Sequence, residues 1–317
     1  MIQKPKFQWH KEPVQDLKVK DWIETEPSLK KWDATMLGIP FSRASISASG
    51  ASEFPDAFRR SWDLFSTYYI DEMVDFRDYA LIDLGDVSLH ATDVSASHAN
   101  IEKAMAQILT QHPDTLHTTI GGDHSITAPL VRAISRKHPC KKVGIIQFDT
   151  HLDMRDFQDG RTNGTPIRQL VEEGIVEGHN VFNIGLHGFY NAPSLLDAVN
   201  QYQVNLITLK QLRTIGIRET IQFVFEQLSN VDIIYVTVDL DVLDVAYAPG
   251  VPSATPGGMR SDELFQCLFE VGKHKIDAID FVCIDPLRDI AMQTVKATAY
   301  AYFTFIASTY IHQKKNK

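Results

Sequence analysis

Three segments of this chain carry closely spaced aspartates and histidines, and each follows a short apolar run that is predicted to form a β-strand. The segments are 121–125 after the run 116–120, 149–153 after 143–148, and 239–244 after 233–238. Carboxylates and imidazoles that gather on turns at the carboxyl ends of strands are typical of functional sites in α/β proteins. The pattern therefore predicts parallel strands that deliver their ends to one site.

Eight strand-like runs alternate with amphipathic stretches along the chain. The runs are 35–39, 79–83, 116–120, 143–148, 181–185, 204–208, 233–238 and 278–284. Most are apolar on both faces, as expected for parallel strands that are covered on both sides. Helical patterns occupy, among others, 100–111, 125–137, 261–272 and 293–312. We therefore predict an α/β fold.

No linker rich in Pro, Gly or Ser divides the chain, so we predict a single α/β domain over residues 34–317. Residues 1–33 are polar, with scattered tryptophans, and are interpreted as an irregular N-terminal arm packed on the surface. The long predicted loops are 40–57, 150–168 and 242–262. All three follow strands, and long loops on one edge of a sheet usually build a site.

Composition excludes several classes of function. The net charge of −9 argues against a nucleic-acid partner, which would require a basic stripe. The chain shows no apolar secretory signal and no run near the roughly 20 residues that span a bilayer. The three cysteines lack CxxC spacing and are interpreted as core thiols. We therefore expect a cytoplasmic protein without a membrane partner.

The spacing within the acidic segments favours metal binding. Segment 149–153 reads D-x-H-x-D, and alternate residues of an extended segment point to the same side. Segment 239–241 reads D-x-D and is placed in the same way. Either motif alone could be a solvated turn, but their combination with a histidine after a Gly-Gly turn predicts a metal site. The candidate ligands are His124, Asp149, His151, Asp153, Asp239 and Asp241.

Four carboxylates and two imidazoles carry too much negative charge to gather without a cation. They can hold two divalent ions if some carboxylates bridge, and carboxylate with imidazole suits Mn²⁺. Two ions about 3.5–4 Å apart can lower the pKa of a shared water and supply hydroxide near neutral pH. We therefore predict a two-metal hydrolase that attacks an electrophilic carbon or phosphorus.

These segments resemble the ureohydrolase family, which contains arginase, agmatinase, guanidinobutyrase and formimidoylglutamase. The matching signatures are GGDHS at 121–125, DxHxD at 149–153 and DxDxxDxxxAPG at 239–250. The resemblance spans roughly residues 34–310. It implies an arginase-like, three-layer α/β/α fold with a mostly parallel eight-stranded sheet, a site for two Mn²⁺ ions and a homo-oligomer.

The resemblance also implies a role for each candidate ligand. One ion would be bound by His124, Asp149, Asp153 and Asp239, and the other by Asp149, His151, Asp239 and Asp241. The two aspartates common to both sets would bridge the ions. Asp153 would also be catalytic, because it would accept a hydrogen bond from the hydroxide and orient it toward the substrate.

Two departures from the family pattern bear on the substrate. Asn163 occupies a position where arginase and agmatinase carry a histidine, and an amide cannot relay a proton near pH 7 as imidazole can. Cys283 stands where family members usually have a glutamate that pairs with the guanidinium or amidinium group. A thiol is a weak donor without full charge. Cys283 is interpreted as either a packed core residue or part of the substrate pocket. Around Asn163, the chain resembles formimidoylglutamases.

Three arginines near the acidic segments suggest an acidic substrate. Arg155 lies two residues after Asp153, Arg168 lies in the same predicted loop, and Arg43 lies in the loop after the first strand. Arginine binds carboxylates in a bidentate manner. The predicted substrate-binding residues are Arg155, Asn163, Arg168 and Cys283. His187, at another strand end, is a further candidate for the pocket wall.

The leading hypothesis is hydrolysis of N-formimidoyl-L-glutamate, a substrate with an acidic tail, to L-glutamate and formamide in histidine degradation. One alternative is hydrolysis of a guanidino compound such as agmatine, with release of urea. A second alternative, from another class, is a non-catalytic homologue that keeps the fold. A third is a zinc deacetylase on a related fold, which would leave the second acidic pair unexplained.

Overall fold

The computed structural model describes residues 1–10, 16–26, 31–158 and 160–315. Its strands are β1 (Ile2–Gln3), β2 (Ala34–Gly38), β3 (Tyr68–Tyr69), β4 (Val74–Asp75), β5 (Leu81–Val87), β6 (Leu116–Ile120), β7 (Val143–Phe148), β8 (Val181–Leu186), β9 (Asn205–Thr208), β10 (Ile233–Asp239) and β11 (Ala278–Val282). Its α-helices are α1 (Val19–Trp22), α2 (Phe54–Arg60), α3 (Val94–Gln111), α4 (Thr127–Lys137), α5 (Pro166–Glu172), α6 (Pro193–Tyr202), α7 (Leu209–Ile215), α8 (Ile217–Gln227), α9 (Ser261–Val271) and α10 (Gln293–Lys315).

One large sheet organises the molecule, with the strand order β1-β5-β2-β6-β11-β10-β7-β8-β9. All neighbours from β5 to β9 are parallel, whereas β1 is antiparallel to β5. Strands β3 and β4 form a separate hairpin. The eight predicted strands are thereby confirmed as a parallel sheet, and the structure adds an antiparallel ninth strand at one edge.

Alternate residues of the strands feed two hydrophobic cores, one on each face of the sheet. In β7, Ile146 and Phe148 belong to the core that contacts α1, α2 and α7–α10, whereas Val143 and Ile145 belong to the core that contacts α3–α6. Coverage of both faces explains why the runs lack polar alternation. The three-layer α/β/α architecture is confirmed.

The N-terminal arm is more integrated than an irregular surface segment. Its first residues form β1, and Gly85 on β5 has a φ of +91°, where an added Cβ would lie 2.2 Å from the carbonyl oxygen of Gln3. Trp22 and Trp32 are buried, whereas Trp9 is half-buried. Residues 11–15 and 27–30 of the arm lie outside the described residues.

Two predicted loops contain more helix than expected. Helix α2 begins inside the loop 40–57 and α5 begins inside the loop 150–168, each with a proline in its first turn. Residue 159 of the second loop lies outside the described residues. Among the helices that the structure describes, none combines the length and the apolar character that crossing a bilayer demands.

The parallel sheet brings the candidate segments together at one edge. Strands β6, β11, β10 and β7 are consecutive neighbours in the middle of the sheet. Because they are parallel, the segments that follow them emerge side by side. These segments carry the two histidines and the aspartates of the three motifs, together with Cys283 after β11.

Candidate metal centre

The six candidate ligands lie close together at the carboxyl edge of the sheet. In the groups His124–Asp149–Asp153 and Asp149–His151–Asp241, one ligand atom from each side chain lies within 4.8 Å of the others. Asp149 belongs to both groups. Asp239 completes the cluster, with its Oδ2 3.3 Å from Nδ1 of His124.

The first half of the site surrounds His124. Its Nδ1 lies 2.7 Å from Oδ2 of Asp153 and 3.3 Å from Oδ2 of Asp149. Although this nitrogen is fully buried, it has no hydrogen-bond partner among the described residues. Buried polar atoms are normally satisfied, so an unpaired nitrogen that faces carboxylates fits a metal ligand.

Hydrogen bonds behind His124 fix its tautomer. Its Nε2 lies 2.9 Å from Oγ1 of Thr237, and that hydroxyl donates to Oδ1 of Asp280 at 2.6 Å. Since the only proton of the hydroxyl is used on Asp280, Thr237 must accept from Nε2–H of His124. The lone pair of a neutral His124 is therefore on Nδ1 and points into the cluster.

The second half of the site surrounds His151 and is more open. Its Nδ1 lies 2.9 Å from Oδ2 of Asp241 and 3.5 Å from Oδ1 of Asp149. The ring of Tyr190 stands edge-on to the imidazole, with centroids 6.5 Å apart. Asp149 therefore contacts both histidines, one through each of its oxygens.

The convergence of segment 149–153 comes from a bend and not from the strand-like alternation that we expected. The chain bends at residues 150 and 151, and Asp153 has a φ of +53° in the left-handed region. Oδ1 of Asp149 accepts from the backbone N–H of His151 at 2.6 Å, which tightens the bend. A non-glycine residue held at positive φ stores strain, which is common at functional sites.

The electrostatic field of the cluster favours added positive charge. Burial lowers the pKa of His151, but Asp241 and Asp149 outweigh burial and raise it to about 12. Burial, and then the charge of Asp149, raise the pKa of Asp153 to about 7. Burial and Asp239 raise the pKa of the Asp241 carboxyl well above its usual range. Divalent ions would supply the charge that this field attracts, so the donor set fits two of them.

A cleft of about 140 Å³ opens over the cluster. Its walls include Arg155, Asn163 and Cys283, which are three of the four predicted substrate residues. Arg168 does not line the cleft, because its Nε lies 2.5 Å from Oε1 of Glu172, one turn further along α5. The prediction that Arg168 approaches the substrate is therefore not supported by its position.

Two other candidates also lie away from the cleft. Arg43 donates to the carbonyl oxygen of His90 and does not line the cleft. His187 is engaged behind the bend, where its Nδ1 lies 2.9 Å from the carbonyl oxygen of Gly185. Its Nε2 lies 3.0 Å from Oγ1 of Thr255, so His187 supports the loops and is not part of the cleft wall.

Arg155 is the cation of the cleft. It is exposed, and the described residues provide no ion-pair partner for its guanidinium. Its side chain lies against Gly164, where an added Cβ would be 2.8 Å from Cδ of Arg155. The arginine can adopt this position because residue 164 has no side chain.

Asn163 joins two walls of the cleft. Its Oδ1 accepts from the backbone N–H of Ile46 at 2.9 Å, and its own N–H donates to the carbonyl oxygen of Ala44 at 3.0 Å. The asparagine therefore holds the loop after β2 against the loop before α5. This contact gives Asn163 a positioning role that the sequence did not indicate.

Cys283 lies beside the acidic cluster with 4% of its surface exposed. Its φ of +65° is a second left-handed conformation at the site. Burial, followed by the charges of Asp239 and Asp241, raises the pKa of the thiol well above its usual value. The thiol is therefore neutral near pH 7, and it presents no charge to a substrate in the cleft.

Sequence reasoning missed the polar side chains that support the ligands from inside the strands. Thr237 and Asp280 lie behind His124, as described above, and Gln147 lies behind Asp149. All three interrupt apolar strands, and Gln147 and Thr237 stand two residues before a candidate ligand at or just after the end of their strand. That spacing was the signal in the sequence, because residues two apart share one face of a strand.

Comparison with known proteins agrees with this geometry. The sequence profile of the arginase family matches residues 32–308. A formimidoylglutamase of Halalkalibacterium halodurans is 37% identical over 274 residues, which cover 86% of this chain and 85% of the relative. These matches confirm the resemblance that the three motifs indicated.

Solved structures of formimidoylglutamases share the fold of this chain. The crystal structure of formimidoylglutamase from Bacillus subtilis superposes with a TM-score of 0.90 at 31% identity, covering 98% of this chain and 96% of the other. A crystal structure of Trypanosoma cruzi formiminoglutamase with Mn²⁺ has a TM-score of 0.84 at 25% identity, covering 93% of this chain and 99% of the other.

Proposed function

The chain belongs to the arginase family and is a hydrolase of C–N bonds other than peptide bonds, and we propose that its substrate is N-formimidoyl-L-glutamate. The products would be L-glutamate and formamide. The observation that carries this proposal is the Arg155 guanidinium, which has no ion-pair partner among the described residues and lies in a cleft where the acidic residues described in the lining are all candidate metal ligands. The similarity to formimidoylglutamases supports it.

The cofactor in this proposal is a pair of Mn²⁺ ions. One would be held by His124, Asp149, Asp153 and Asp239, and the other by Asp149, His151, Asp239 and Asp241. When bound, such a pair lowers the pKa of a shared water enough to supply hydroxide near neutral pH. The unpaired Nδ1 of His124 and the Mn²⁺ in the similar Trypanosoma cruzi structure support this assignment.

Arg155 would orient the substrate through its acidic tail. A guanidinium binds a carboxylate through charge-assisted hydrogen bonds, which are stronger than neutral ones. The guanidinium of Arg155 would repel a cationic tail such as that of agmatine. The neutral thiol of Cys283 offers no negative charge to compensate. The cleft therefore favours an acidic substrate over a basic one.

Asp153 would handle the proton during hydrolysis. It lines the cleft and lies next to His124, at the junction of the ligand cluster and the substrate space. Its carboxylate can accept one proton of the attacking water as the C–O bond forms, and the second proton of that water passes to the imine nitrogen that becomes the amide nitrogen of formamide. It can then return the proton to the glutamate nitrogen as the C–N bond breaks, which is general acid–base catalysis at one carboxyl group.

A turnover screen tests the substrate. The purified protein, loaded with Mn²⁺, is supplied separately with N-formimidoyl-L-glutamate, agmatine, arginine and guanidinobutyrate, and formamide and urea are measured. We expect formamide from the first substrate, with kcat/KM about 100-fold above that for agmatine, because a charge-assisted hydrogen bond contributes about 1.5–3 kcal/mol. Preference for a basic substrate with release of urea would overturn the proposal.

Two further properties stay predictions. The resemblance implies a homo-oligomer, which light scattering of the purified protein would measure. The expected cytoplasmic location would be tested by fractionation of the source cells. Neither property contributes to the argument for the substrate.

A further inference from the structure

A row of polar side chains crosses the middle of the apolar sheet. In successive register pairs, Thr119 of β6 faces Asp280 of β11, Asp280 faces Thr237 of β10, Thr237 faces Gln147 of β7, and Gln147 faces Asn183 of β8. The next row of register partners toward the site is apolar: Ile120, Phe281, Val238, Phe148 and Ile184. Because directly paired residues project to the same face, the polar row lies under one part of the site.

Gln147 is the member of this row that reaches two candidate ligands. Its side chain is fully buried, and its Nε2 donates to Oδ2 of Asp149 at 2.7 Å and to Oδ2 of Asp153 at 3.3 Å. These are the same two oxygens that lie 3.3 and 2.7 Å from Nδ1 of His124. One amide group therefore links two carboxylates of the half of the site that contains His124.

The orientation of the amide follows from electrostatics. If the amide were reversed, its Oε1 would face two carboxylate oxygens and would repel both, whereas Nε2 can donate to both. In the observed orientation Oε1 is buried, and the part of the chain that the structure describes offers it no hydrogen-bond partner. An unpaired carbonyl is unfavourable in a core, so an apolar residue would suit the strand better than Gln147.

The other half of the site receives different support from the row. Nδ2 of Asn183 donates to the backbone carbonyl of His151 at 2.7 Å, so it holds the main chain and not the ligand atoms. Among the described residues of the row, none donates a hydrogen bond to the side chain of His151 or Asp241. The polar row therefore supports ligand side chains only in the half of the site that contains His124, as far as the described residues show.

We propose that Gln147 is a positioning residue that holds Asp149 and Asp153 for the metal ion beside His124 and thereby sets the affinity of that ion. The inference rests on the metal pair of the proposed function and not on the identity of the substrate. Gln147 acts through the two carboxylates and does not line the substrate cleft.

Manganese titrations of single-site proteins test this role. The His151→Ala variant keeps the position beside His124, and the His124→Ala variant keeps the position beside His151. Gln147→Met, which has nearly the same length without a donor, is added to each. Mn²⁺ dissociation constants are measured by calorimetry, and the electron paramagnetic resonance spectrum reports the geometry of the bound ion. Thr119→Val, in the same row but with no hydrogen bond to a ligand, is the matched control.

We expect Gln147→Met to weaken Mn²⁺ binding about 10- to 100-fold in the His151→Ala protein, as is typical when an outer partner of a ligand is removed. In the His124→Ala protein the weakening should be several-fold smaller, because that position depends on only one of the two carboxylates that Gln147 holds, and Thr119→Val should change neither constant by more than about 3-fold. The spectrum of the remaining ion should broaden only where affinity falls. If Gln147→Met does not fold, Gln147→Asn, whose amide is too short to reach, should give a shift of the same sign.

The outcomes separate this inference from the proposed function. Unchanged constants, or equal weakening at both positions, would overturn the role of Gln147 while the wild-type protein still binds two ions. A wild-type protein that binds no Mn²⁺ would overturn both the role and the metal centre. Preference for a basic substrate in the turnover screen would overturn the proposed substrate alone.

Discussion

The two halves of the metal centre use the same ligand types in different surroundings. The His124 side chain is 1% exposed, whereas the His151 side chain is 29% exposed and faces the cleft. Thr237 and Gln147 support the first half through side-chain hydrogen bonds, and the second half has its main chain held by Asn183. For the proposed ion pair, the comparison predicts that one position retains its metal ion more tightly and that the other is more accessible to the substrate.

Buried hydrogen bonds explain this division. A side chain that is buried and fully bonded has one orientation, so its ligand atom needs no reorganisation when an ion binds. A half-exposed ligand can adjust to a substrate but holds its ion less rigidly. Substitutions in the two halves should therefore have different consequences.

Loss of the carboxylate that both halves share should have the largest effect. Asp149 contacts His124 through Oδ2 and His151 through Oδ1, so Asp149→Ala should abolish binding at both positions. We expect kcat to fall at least about 1,000-fold, because charge stabilisation of several kcal/mol by the ions is lost. Metal content and turnover would be measured together. Asp277→Asn at the opposite edge of the sheet is the control, and retention of one full equivalent of Mn²⁺ by Asp149→Ala would contradict the shared role.

Removal of the Arg155 guanidinium from the cleft should weaken substrate binding and leave metal binding unchanged. Arg155→Met should lower kcat/KM for N-formimidoyl-L-glutamate about 10- to 100-fold, mainly through KM, with two Mn²⁺ ions retained. Arg168→Met is the matched control, because Arg168 pairs with Glu172 outside the cleft, and it should change kcat/KM less than about 3-fold. Similar losses in both variants would show that the cleft does not recognise the acidic tail through Arg155.

Replacement of each histidine should reveal the difference in burial. In metal-free protein, His124→Ala removes the Nε2–H donor to Thr237 and the imidazole nitrogen that faces three buried carboxylates. The free energy of unfolding should fall by about 1–3 kcal/mol. His151→Ala removes a partly exposed imidazole and should lower the free energy of unfolding by less than His124→Ala does. Urea denaturation would measure both values, and equal losses would remove the contrast between the halves.

Acidification should lower the free energy of unfolding by a smaller amount, through a histidine that supports the buried half of the site. Nε2 of His98 lies 2.9 Å from Oγ of Ser125, next to His124. Burial, followed by the charges of Arg161 and Arg132, lowers the pKa of His98 to about 4. Because the unfolded chain binds this proton near its ordinary pKa of about 6.5, the stability from neutral His98 is complete above that pH and is lost as the pH falls toward 4.

The size of this effect can be isolated with one variant. Between pH 7 and pH 5, the wild-type protein should lose about 1–2 kcal/mol more unfolding free energy than His98→Gln, which does not titrate. Urea denaturation of the metal-free proteins at each pH would measure the difference. Identical pH dependence in the two proteins would show that His98 does not contribute.

The sequence predicted the sheet and the convergence of the candidate ligands, for a physical reason. Strands covered on both faces are visible as apolar runs, and β6 and β7 begin and end at the predicted residues. Parallel strands deliver their ends to one edge, so the motifs alone placed the ligands together. Strand β1 was not predictable, because two residues carry no periodicity and pair with a distant strand.

The features of the site that the sequence did not predict depend on local turns and bends of the chain. Pro166 starts α5, and the helix turns Arg168 toward Glu172 and away from the cleft. Gln147 reaches Asp153 because the chain bends back after Asp149 and Asp153 adopts a positive φ. A single sequence shows that a polar residue interrupts a strand, but it does not show which side chain that residue meets.

Because Gly164 has no side chain, substitutions at this position could change the orientation of Arg155 in laboratory evolution. Any larger residue there would crowd the aliphatic part of Arg155, since even a methyl carbon would come within 2.8 Å of Cδ. The guanidinium could then be re-aimed while every ligand and the arginine itself stay unchanged. Libraries at this single codon would sample new substrate ranges without dismantling the hydrolytic centre.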